Sequence, residues 1–308
     1  QIEGTQSSLS DLLLAELEEA PGVPLDDVAE VSNYVVALEH GLQRMRGGFP
    51  LSNRLLREMH GILLRSGRGA AKQPGTFRRS QNWIGGSRPG NAVFVPPPPD
   101  RVEGLMAALE RFLHGAPVDV PPLFKAGLAH VQFETIHPFL DGNGRVGRLL
   151  IALVLVHEQV LRQPLLYLSL YFKEHRQEYY AHLNGVRERG DWEAWMRFFA
   201  EGVRVTAEGA VATARRLQDL FARDLERVHA AGRGAGSAAR LLTAFRERPL
   251  WRIGRLNDAT GLPVPTVTRA IAALEKLGIV RETTGRRRGR VYSYDACLQV
   301  LSEGTEPL

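Results

Sequence analysis

The spacing of hydrophobic residues predicts a protein built mainly of helices. Between residues 28 and 46 the apolar positions recur every three or four residues, which places them on one face of a helix. Gly47 and Gly48 follow directly and predict the end of that helix. The same periodicity predicts further helices over residues 10–19, 51–66, 102–113, 122–134, 174–187 and 192–230.

One stretch is apolar on every side. Residues 149–156 read LLIALVLV, with no polar, Gly or Pro residue among them. A helix that is hydrophobic all round is buried. We therefore expect the polar residues just before it, 137–148, to lie at the base of a pocket.

Residues 74–99 depart from the helical pattern. Extended runs at residues 83–84 and 92–95 are separated by Gly, Pro and Asn residues that favour turns. This arrangement predicts a β-hairpin. The four prolines at 96–99 end it in a stiff extended segment.

A short linker rich in Ala and Gly, residues 230–236, separates a tail of about seventy residues, close to the lower size of a domain. The tail resembles a winged helix-turn-helix, with helices predicted over 238–245, 253–260 and 265–277 and strands over 279–282 and 290–294. Its recognition helix would carry Thr266, Thr268 and Arg269, and its wing three consecutive arginines that suit phosphate contacts. DNA binding, protein docking and dimer formation all remain open for such a module.

Composition narrows the class of protein. The 308 residues, 44% of them hydrophobic, are enough for two domains, and the net charge of +5 is a weak bias. No apolar run is long enough to span a membrane, and the N-terminus lacks the pattern of a secretory signal. With Cys297 as the single cysteine, we expect a cytoplasmic protein. The chain does not begin with Met, so we expect the natural protein to begin earlier.

The segment HPFLDGNGRVGR, residues 137–148, carries the candidate chemistry. Glycines before a helix leave backbone N–H groups free to bind an anion, and the helix dipole favours negative charge there. Arg145 and Arg148 lie three apart, on one helix face, where both can contact one polyphosphate. Asp141 supplies a hard oxygen ligand for Mg²⁺, which commonly shares its coordination with phosphate. The segment therefore predicts a nucleotide site.

The same segment resembles the signature of the Fic domain family, HxFx(D/E)GNGRxxR. All fixed positions match: His137, Phe139, Asp141, Gly142, Asn143, Gly144, Arg145 and Arg148. The resemblance implies a mainly α-helical Fic core with a β-hairpin flap, followed here by the winged helix. It also implies a protein adenylyltransferase, which moves AMP from ATP to a hydroxyl group of a target protein and releases pyrophosphate.

The resemblance assigns a role to each position of the signature. His137 would be the general base and Asp141 the ligand of Mg²⁺ against the α- and β-phosphates. The backbone N–H groups of Gly142, Asn143 and Gly144 would bind phosphate oxygens. Arg145 and Arg148 would neutralise the outer phosphates, and Phe139 would anchor the loop from the core.

Three further features of the family are matched less specifically. Gln1-Ile2-Glu3-Gly4 resembles the second half of an inhibitory motif, (S/T)xxxE(G/N), whose Glu would pair with Arg148 and block the γ-phosphate position. Loss of this inhibition would permit self-adenylylation. In the hairpin, the candidates for holding the target by strand addition are Val93, Phe94 and Val95. Tyr179 and Tyr180 are the candidates for contact with adenine, and the alternative is that they pack in the hydrophobic core.

These observations predict three regions: an N-terminal helical region with the inhibitory motif over residues 1–72, a catalytic core with the flap over 73–230, and a winged helix over 237–303. The expected partners are ATP and target proteins with hydroxyl side chains, with DNA and a second copy of the chain left open. One alternative is a Fic enzyme that transfers another phosphate-containing group or removes AMP. The other is a DNA-binding regulator whose Fic domain only senses a nucleotide.

Overall fold

The computed structural model describes residues 13, 14, 17, 25–115 and 120–303. They divide into two compact units. The first is Leu25–Glu208, and the second comprises the described residues of Gln6–Pro24 and Gly209–Leu308.

The first unit is helical. Its elements are α1 (Leu25–Arg46), α2 (Asn53–Leu63), α3 (Pro99–Leu113), α4 (Pro122–Ile136), α5 (Asn143–His157), α6 (Leu168–Glu174), α7 (Arg176–Arg189) and the first part of α8 (Trp192–Ala230). The helix predicted over residues 174–187 is α7, with each end two residues later, and α6 is a further short helix that the sequence does not predict. The other predicted helices of this unit are present, with ends shifted by a few residues.

The apolar helix predicted after the signature is α5, and its burial is confirmed. Leu149, Leu150 and Leu153 are fully buried, and α5 makes its most extensive contact with α4. A six-residue turn, 137–142, therefore connects the C-terminus of α4 to the N-terminus of α5. Although α5 is apolar, it has only 15 residues, and no helix in the described part of the chain is both long and apolar enough to cross a bilayer.

The second unit has the winged-helix arrangement that the tail predicts. It contains α9 (Ala235–Glu247), β1 (Leu250–Arg252), α10 (Ile253–Thr260), α11 (Val264–Lys276), β2 (Arg281–Glu282), β3 (Val291–Ser293) and α12 (Asp295–Ser302). The strands form an antiparallel sheet in the order β1-β3-β2, with Trp251 opposite Tyr292 and Arg281 opposite Ser293. The sequence predicts β2 and β3 but not β1, a run of three residues between two helices.

Helix α8 contributes to both units. The division lies between Glu208 and Gly209, inside this helix, whereas the sequence places the boundary at the linker after Ala230. The physical reason is hydrophobic: Leu220 and Val228 belong to the core of the second unit.

The second unit also includes residues from near the start of the chain. Leu13 and Leu17 form a buried cluster with Leu250, Val291 and Leu298. The Arg252 guanidinium donates a hydrogen bond of 2.7 Å to the carbonyl oxygen of Leu17, across 235 positions in sequence. The sequence predicts a helix over residues 10–19, of which Leu13 and Leu14 are helical and Leu17 lies in a turn.

Candidate active site

The candidate general base, His137, lies at the C-terminus of α4. Its backbone adopts the left-handed conformation, with φ 49° and ψ 60°, and its N–H donates to the carbonyl oxygen of Phe133 at 2.9 Å. This conformation costs a non-glycine residue about 1–2 kcal/mol. It ends the helix and turns the chain sharply at the signature. The His137 side chain remains 19% exposed.

A buried carboxylate, that of Glu134, faces the imidazole. Its Oε2 atom lies 3.8 Å from His137 Nδ1, and the Glu134 side chain is only 7% exposed. Gly147 in α5 makes room for it, since a Cβ atom there would lie 2.4 Å from Glu134 Oε1. A negative charge at this position stabilises the imidazolium form of His137. Sequence reasoning missed Glu134 because it treated the residue as part of an ordinary helix.

The turn after His137 is held by the side chain of Asn143. Its Oδ1 accepts from the Phe139 N–H and its Nδ2 donates to the Phe139 carbonyl oxygen, both at 2.8 Å. The Phe139 side chain is fully buried, which confirms that it anchors the turn from the core. Asn143, predicted as a backbone ligand of phosphate, therefore also fixes the shape of the turn.

His60 in α2 supports the turn from the other side. Its ring stacks on Phe139 with 3.7 Å between centroids. Nδ1 accepts from the Gly75 N–H at 2.8 Å, so Nε2 is the protonated nitrogen and donates to the Asp141 carbonyl oxygen at 3.0 Å. Burial lowers the pKa of His60 to about 4, so this histidine is neutral near pH 7. No pattern in the sequence distinguishes it from a core residue of α2.

The start of α5 has the geometry of an anion site. Gly142 precedes the helix with φ 74°, and the first helical hydrogen bond runs from the Val146 N–H to the Gly142 carbonyl oxygen. The N–H groups of Asn143, Gly144 and Arg145 therefore have no acceptor within the helix. The Gly142 N–H donates to Asp141 Oδ1 at 2.6 Å, so that carboxylate lies at the helix N-terminus.

Arg145 points to carboxylates on two different segments. Nη2 lies 3.5 Å from Asp141 Oδ1, and Nη1 lies 3.8 Å from Oε2 of Glu30 in α1. Glu30 is 6% exposed and also contacts Arg68 at 3.3 Å. Arg145 itself is 8% exposed, whereas Arg148, three residues further along α5, is half-buried. The two arginines predicted to act together thus differ in burial.

The two tyrosines predicted to meet adenine lie in different environments. Tyr179 is 1% exposed and donates its hydroxyl to Nε2 of the buried His130, whose Nδ1–H donates to the Gly147 carbonyl oxygen at 2.8 Å. Burial raises the pKa of Tyr179 well above its usual value and lowers that of His130 to about 3. The expectation for Tyr179 is corrected: the aromatic core covers its ring. Tyr180 is 38% exposed, and its role stays a prediction.

The hairpin is smaller than predicted. In the described part of the chain it has one antiparallel bridge, between Ile84 and Phe94, with N···O distances of 2.9 and 3.2 Å. Glycines with positive φ at 85 and 86 and the prolines after Val95 keep longer strands from pairing. Val93 and Val95 are 61% and 44% exposed, while Phe94 is half-buried under the guanidinium of Arg187, 4.3 Å from its ring centre.

The inhibitory candidate Glu3 lies outside the described residues. In the second unit, Thr268 and Arg269 on α11 are exposed and Thr266 is half-buried. The wing arginines 286–288 are exposed between Gly285 and Gly289, both of which have positive φ.

Known protein families match three stretches of the chain. The Fic/DOC family profile matches residues 50–155, and the profile of the Fic/DOC N-terminal region matches residues 1–43. The IclR helix-turn-helix profile matches residues 237–284.

Curated relatives support the same assignment over part of their length. A protein adenylyltransferase Fic of Drosophila erecta is 33% identical over 135 residues, 44% of this chain and 24% of the relative. Its counterpart in Drosophila virilis is 30% identical over 188 residues, 54% of this chain and 36% of the relative. The chain thus matches about a third or less of these longer proteins.

Solved structures share the fold. A Fic family protein from Desulfovibrio desulfuricans superposes with a TM-score of 0.60 and 23% identity, covering 95% of this chain and 82% of that one. A Fic domain-containing signaling protein from Bacteroides thetaiotaomicron gives a TM-score of 0.54 and 21% identity, covering 68% and 81%. At these identities the likeness is one of fold.

Proposed function

We propose that this chain, which belongs to the Fic/DOC family, transfers AMP from ATP to a hydroxyl group of a target protein. The observation that carries the proposal is the position of His137 on the turn between α4 and α5, with the first turn of α5, whose backbone N–H groups have no acceptor within the helix, directly after it. The names of the curated relatives support the same reaction class.

In the proposed reaction His137 is the general base. The imidazole accepts the proton of the target hydroxyl while that oxygen forms a bond to the α-phosphorus of ATP. The bond from the α-phosphorus to the bridging oxygen breaks, and pyrophosphate leaves with the electron pair. Because Nδ1 lies on the side of Glu134, Nε2 is the nitrogen that accepts the proton. Glu134 stabilises the imidazolium that results.

The start of α5 binds the triphosphate. Its N–H groups and Arg148 supply positive charge for the phosphates, and Arg145 is held in place for the same task by Asp141 and Glu30. Since phosphoryl-group chemistry depends mainly on positioning and charge compensation, this preorganisation accounts for much of the expected rate.

Asp141 fits the role of a magnesium ligand. It offers one partly exposed carboxylate at the helix N-terminus, and no group of three His, Cys, Asp or Glu side chains in the described regions could hold a metal alone. This donor set suits Mg²⁺, which binds through one or two carboxylates, water and phosphate oxygens. When bound, the ion would neutralise charge on the α- and β-phosphates.

The flap would hold the target. Val93 and Val95 are exposed in the flap, and an extended segment of the target would add to the edge of the flap through main-chain hydrogen bonds. Such a contact tolerates different target sequences.

We further propose autoinhibition by Glu3. Support comes from the sequence: the Glu3-Gly4 pair of the inhibitory motif lies within the segment matched by the Fic/DOC N-terminal profile. A carboxylate bound to Arg148 would compete with the γ-phosphate for the same guanidinium. Glu3→Gly is expected to raise self-adenylylation, measured as AMP incorporated into the purified chain. Equal rates for the variant and the wild type at saturating ATP would contradict the autoinhibition.

One experiment separates AMP transfer from the other reactions open to the fold. The full chain is incubated with a host lysate and ATP labelled at either the α- or the γ-phosphate, with His137→Ala as the blank. AMP transfer leaves only the α label on protein, whereas phosphate transfer leaves the γ label. Retention of γ label alone would overturn the proposal. The cytoplasmic location stays a prediction.

A second function is favoured by the second unit. We propose that it binds DNA, supported by the IclR helix-turn-helix match and by the exposed arginines at 286–288. Replacing all three by Gln should weaken binding of the full chain to duplex DNA. The slope of the logarithm of the binding constant against the logarithm of the salt concentration should become shallower by roughly 0.9 for each phosphate that is no longer neutralised. Arg197→Gln, at an exposed position on α8 in the first unit, is the control. Equal binding by the triple variant and the control would contradict DNA binding through the wing.

A further inference from the structure

Arg78 is a buried cation whose guanidinium is surrounded by backbone carbonyls. Its side chain is 2% exposed and donates to the carbonyl oxygens of Ile136, His137, Ser80 and Pro97. Burial lowers the pKa of Arg78, although an arginine stays charged in a protein. Four acceptors around one planar fork fix the position of the residues that supply them.

Two of these contacts, and one from the Arg78 backbone, lie at the last residue of α4 and on the turn that carries the candidate base. Nη2 donates to the Ile136 oxygen at 3.3 Å and Nε to the His137 oxygen at 2.9 Å, while the Arg78 N–H donates to the Pro138 oxygen at 2.8 Å. Carbonyls at the end of a helix lack partners in the helix and carry the negative end of its dipole, so a cation there is favourable. Arg78 thus stabilises the left-handed backbone of His137.

The remaining contacts lie at the two ends of the flap, defined here as residues 80–97. Nη1 donates to the Ser80 oxygen at 3.3 Å and Nη2 to the Pro97 oxygen. Asn82 adds a second link, since its Nδ2 donates to the Phe139 oxygen at 2.9 Å. One guanidinium therefore joins the base-bearing turn to both ends of the flap.

We propose that Arg78 is a positioning residue that sets the flap relative to His137. The inference rests on the proposed function, in which the flap holds the target and His137 takes its proton. Arg78 contacts the backbone of both segments and none of the signature residues that bind phosphate. Its removal therefore alters the transfer step and leaves ATP binding intact.

The kinetic test compares Arg78→Gln and Arg78→Lys with Arg79→Gln, a change at the exposed neighbouring position. For Arg78→Gln we expect kcat to fall roughly 10²-fold, the size of effect that a misplacement of about 1 Å produces. The dissociation constant of a non-hydrolysable ATP analogue should stay within about twofold of the wild-type value, because no contact with ATP is removed. Loss of one contact worth about 1.4 kcal/mol would raise that constant about tenfold. Arg78→Lys, which keeps the charge but not the fork, should recover part of kcat, and Arg79→Gln should match the wild type.

A second measurement does not depend on catalysis. Hydrogen exchange of the free full chain should become faster in both the turn of residues 137–142 and the flap in Arg78→Gln, with exchange in α5 and α11 unchanged. If the wild type transfers no AMP, the proposed function fails, yet the exchange pattern still tests the link. If Arg78→Gln does not fold, Arg78→Lys must show the same pattern with a smaller increase in the exchange rates.

Three results would overturn the proposal. One is transfer by Arg78→Gln at the wild-type rate. Another is faster exchange in only one of the two segments. The third is a parallel loss of kcat, ATP affinity and thermal stability, which would mark Arg78 as a general stabilising residue.

Discussion

The turn of residues 137–142 and the flap are neighbours in one unit, but they are built in opposite ways. In the turn, buried hydrogen bonds from Asn143 and His60 fix the backbone, and Phe139 fills the core beneath it. The flap has a single bridge and exposes Val93. Chemistry at phosphorus needs a fixed geometry. Recognition through main-chain hydrogen bonds tolerates a looser one.

The largest loss of AMP transfer is expected when the general base is removed. In His137→Ala we expect AMP transfer to fall at least ~10²–10⁴-fold, the usual contribution of a general base. ATP affinity, measured by calorimetry, should stay close to the wild-type value, because the phosphate-binding groups lie at the start of α5. Transfer at the wild-type rate would remove His137 from the mechanism.

A smaller effect is expected where α5 packs closely against Glu134. A Cβ atom at Gly147 would displace the Glu134 carboxylate from His137, so we expect Gly147→Ala to lose about 1–3 kcal/mol of stability through overpacking. The transfer rate should fall by ~10- to 100-fold because the base is misplaced. Urea unfolding and initial rates measure the two losses.

The control for this change is Gly104→Ala in α3, where an added Cβ atom has no neighbour within 4 Å. This substitution should stabilise the chain by up to about 1 kcal/mol and leave the rate unchanged. If both alanine variants behave alike, close packing of Glu134 against α5 has no part in catalysis.

A change in the flap should alter the KM for the target and leave the affinity for ATP unchanged. Val93→Pro removes the hydrogen bond of 2.9 Å from the Val93 N–H to the Ile84 oxygen, whereas Val93→Ala keeps it. Loss of one hydrogen bond is worth ~0.5–1.5 kcal/mol, so the KM for the target should rise roughly 3- to 10-fold in the proline variant alone. An altered affinity for ATP would contradict the separation of the two regions.

A change confined to acidic pH concerns the stability of the turn. The pKa of His60 is about 4 in the folded chain and near 6.5 when unfolded, so the unfolded state binds more protons between these values. Stability should be full above pH 6.5 and fall as the pH drops toward 4, by about 1.4 kcal/mol for each unit of pKa shift. In His60→Gln this part of the pH dependence should be absent from denaturation curves recorded across the range.

Local patterns predicted the elements of this molecule well. The helical periodicity located α1 to α5, and the match of residues 137–148 to the signature identified the turn and the start of α5. These features depend on residues that are close in sequence. Phe139 in the core and the buried α5 followed from the same local information.

Contacts between distant segments were not predictable in this way. Glu30, His60 and Arg78 reach the signature from other segments, and each looks like an ordinary helix or hairpin residue in its own segment. Tyr179 shows the same limit, because helical spacing does not reveal which face of α7 the core covers. The short β1 was missed because three residues carry too little alternation to predict a strand.

The cluster of Leu13 and Leu17 with Leu250, Val291 and Leu298 has a consequence for biosynthesis. During translation these two leucines leave the ribosome more than two hundred residues before their partners do. Contacts so far apart in sequence form slowly, and apolar surface that waits for them is prone to aggregation. The second unit is therefore completed only after the whole first unit has been synthesised, and a chain that stops before β3 leaves both leucines without Val291 and Leu298.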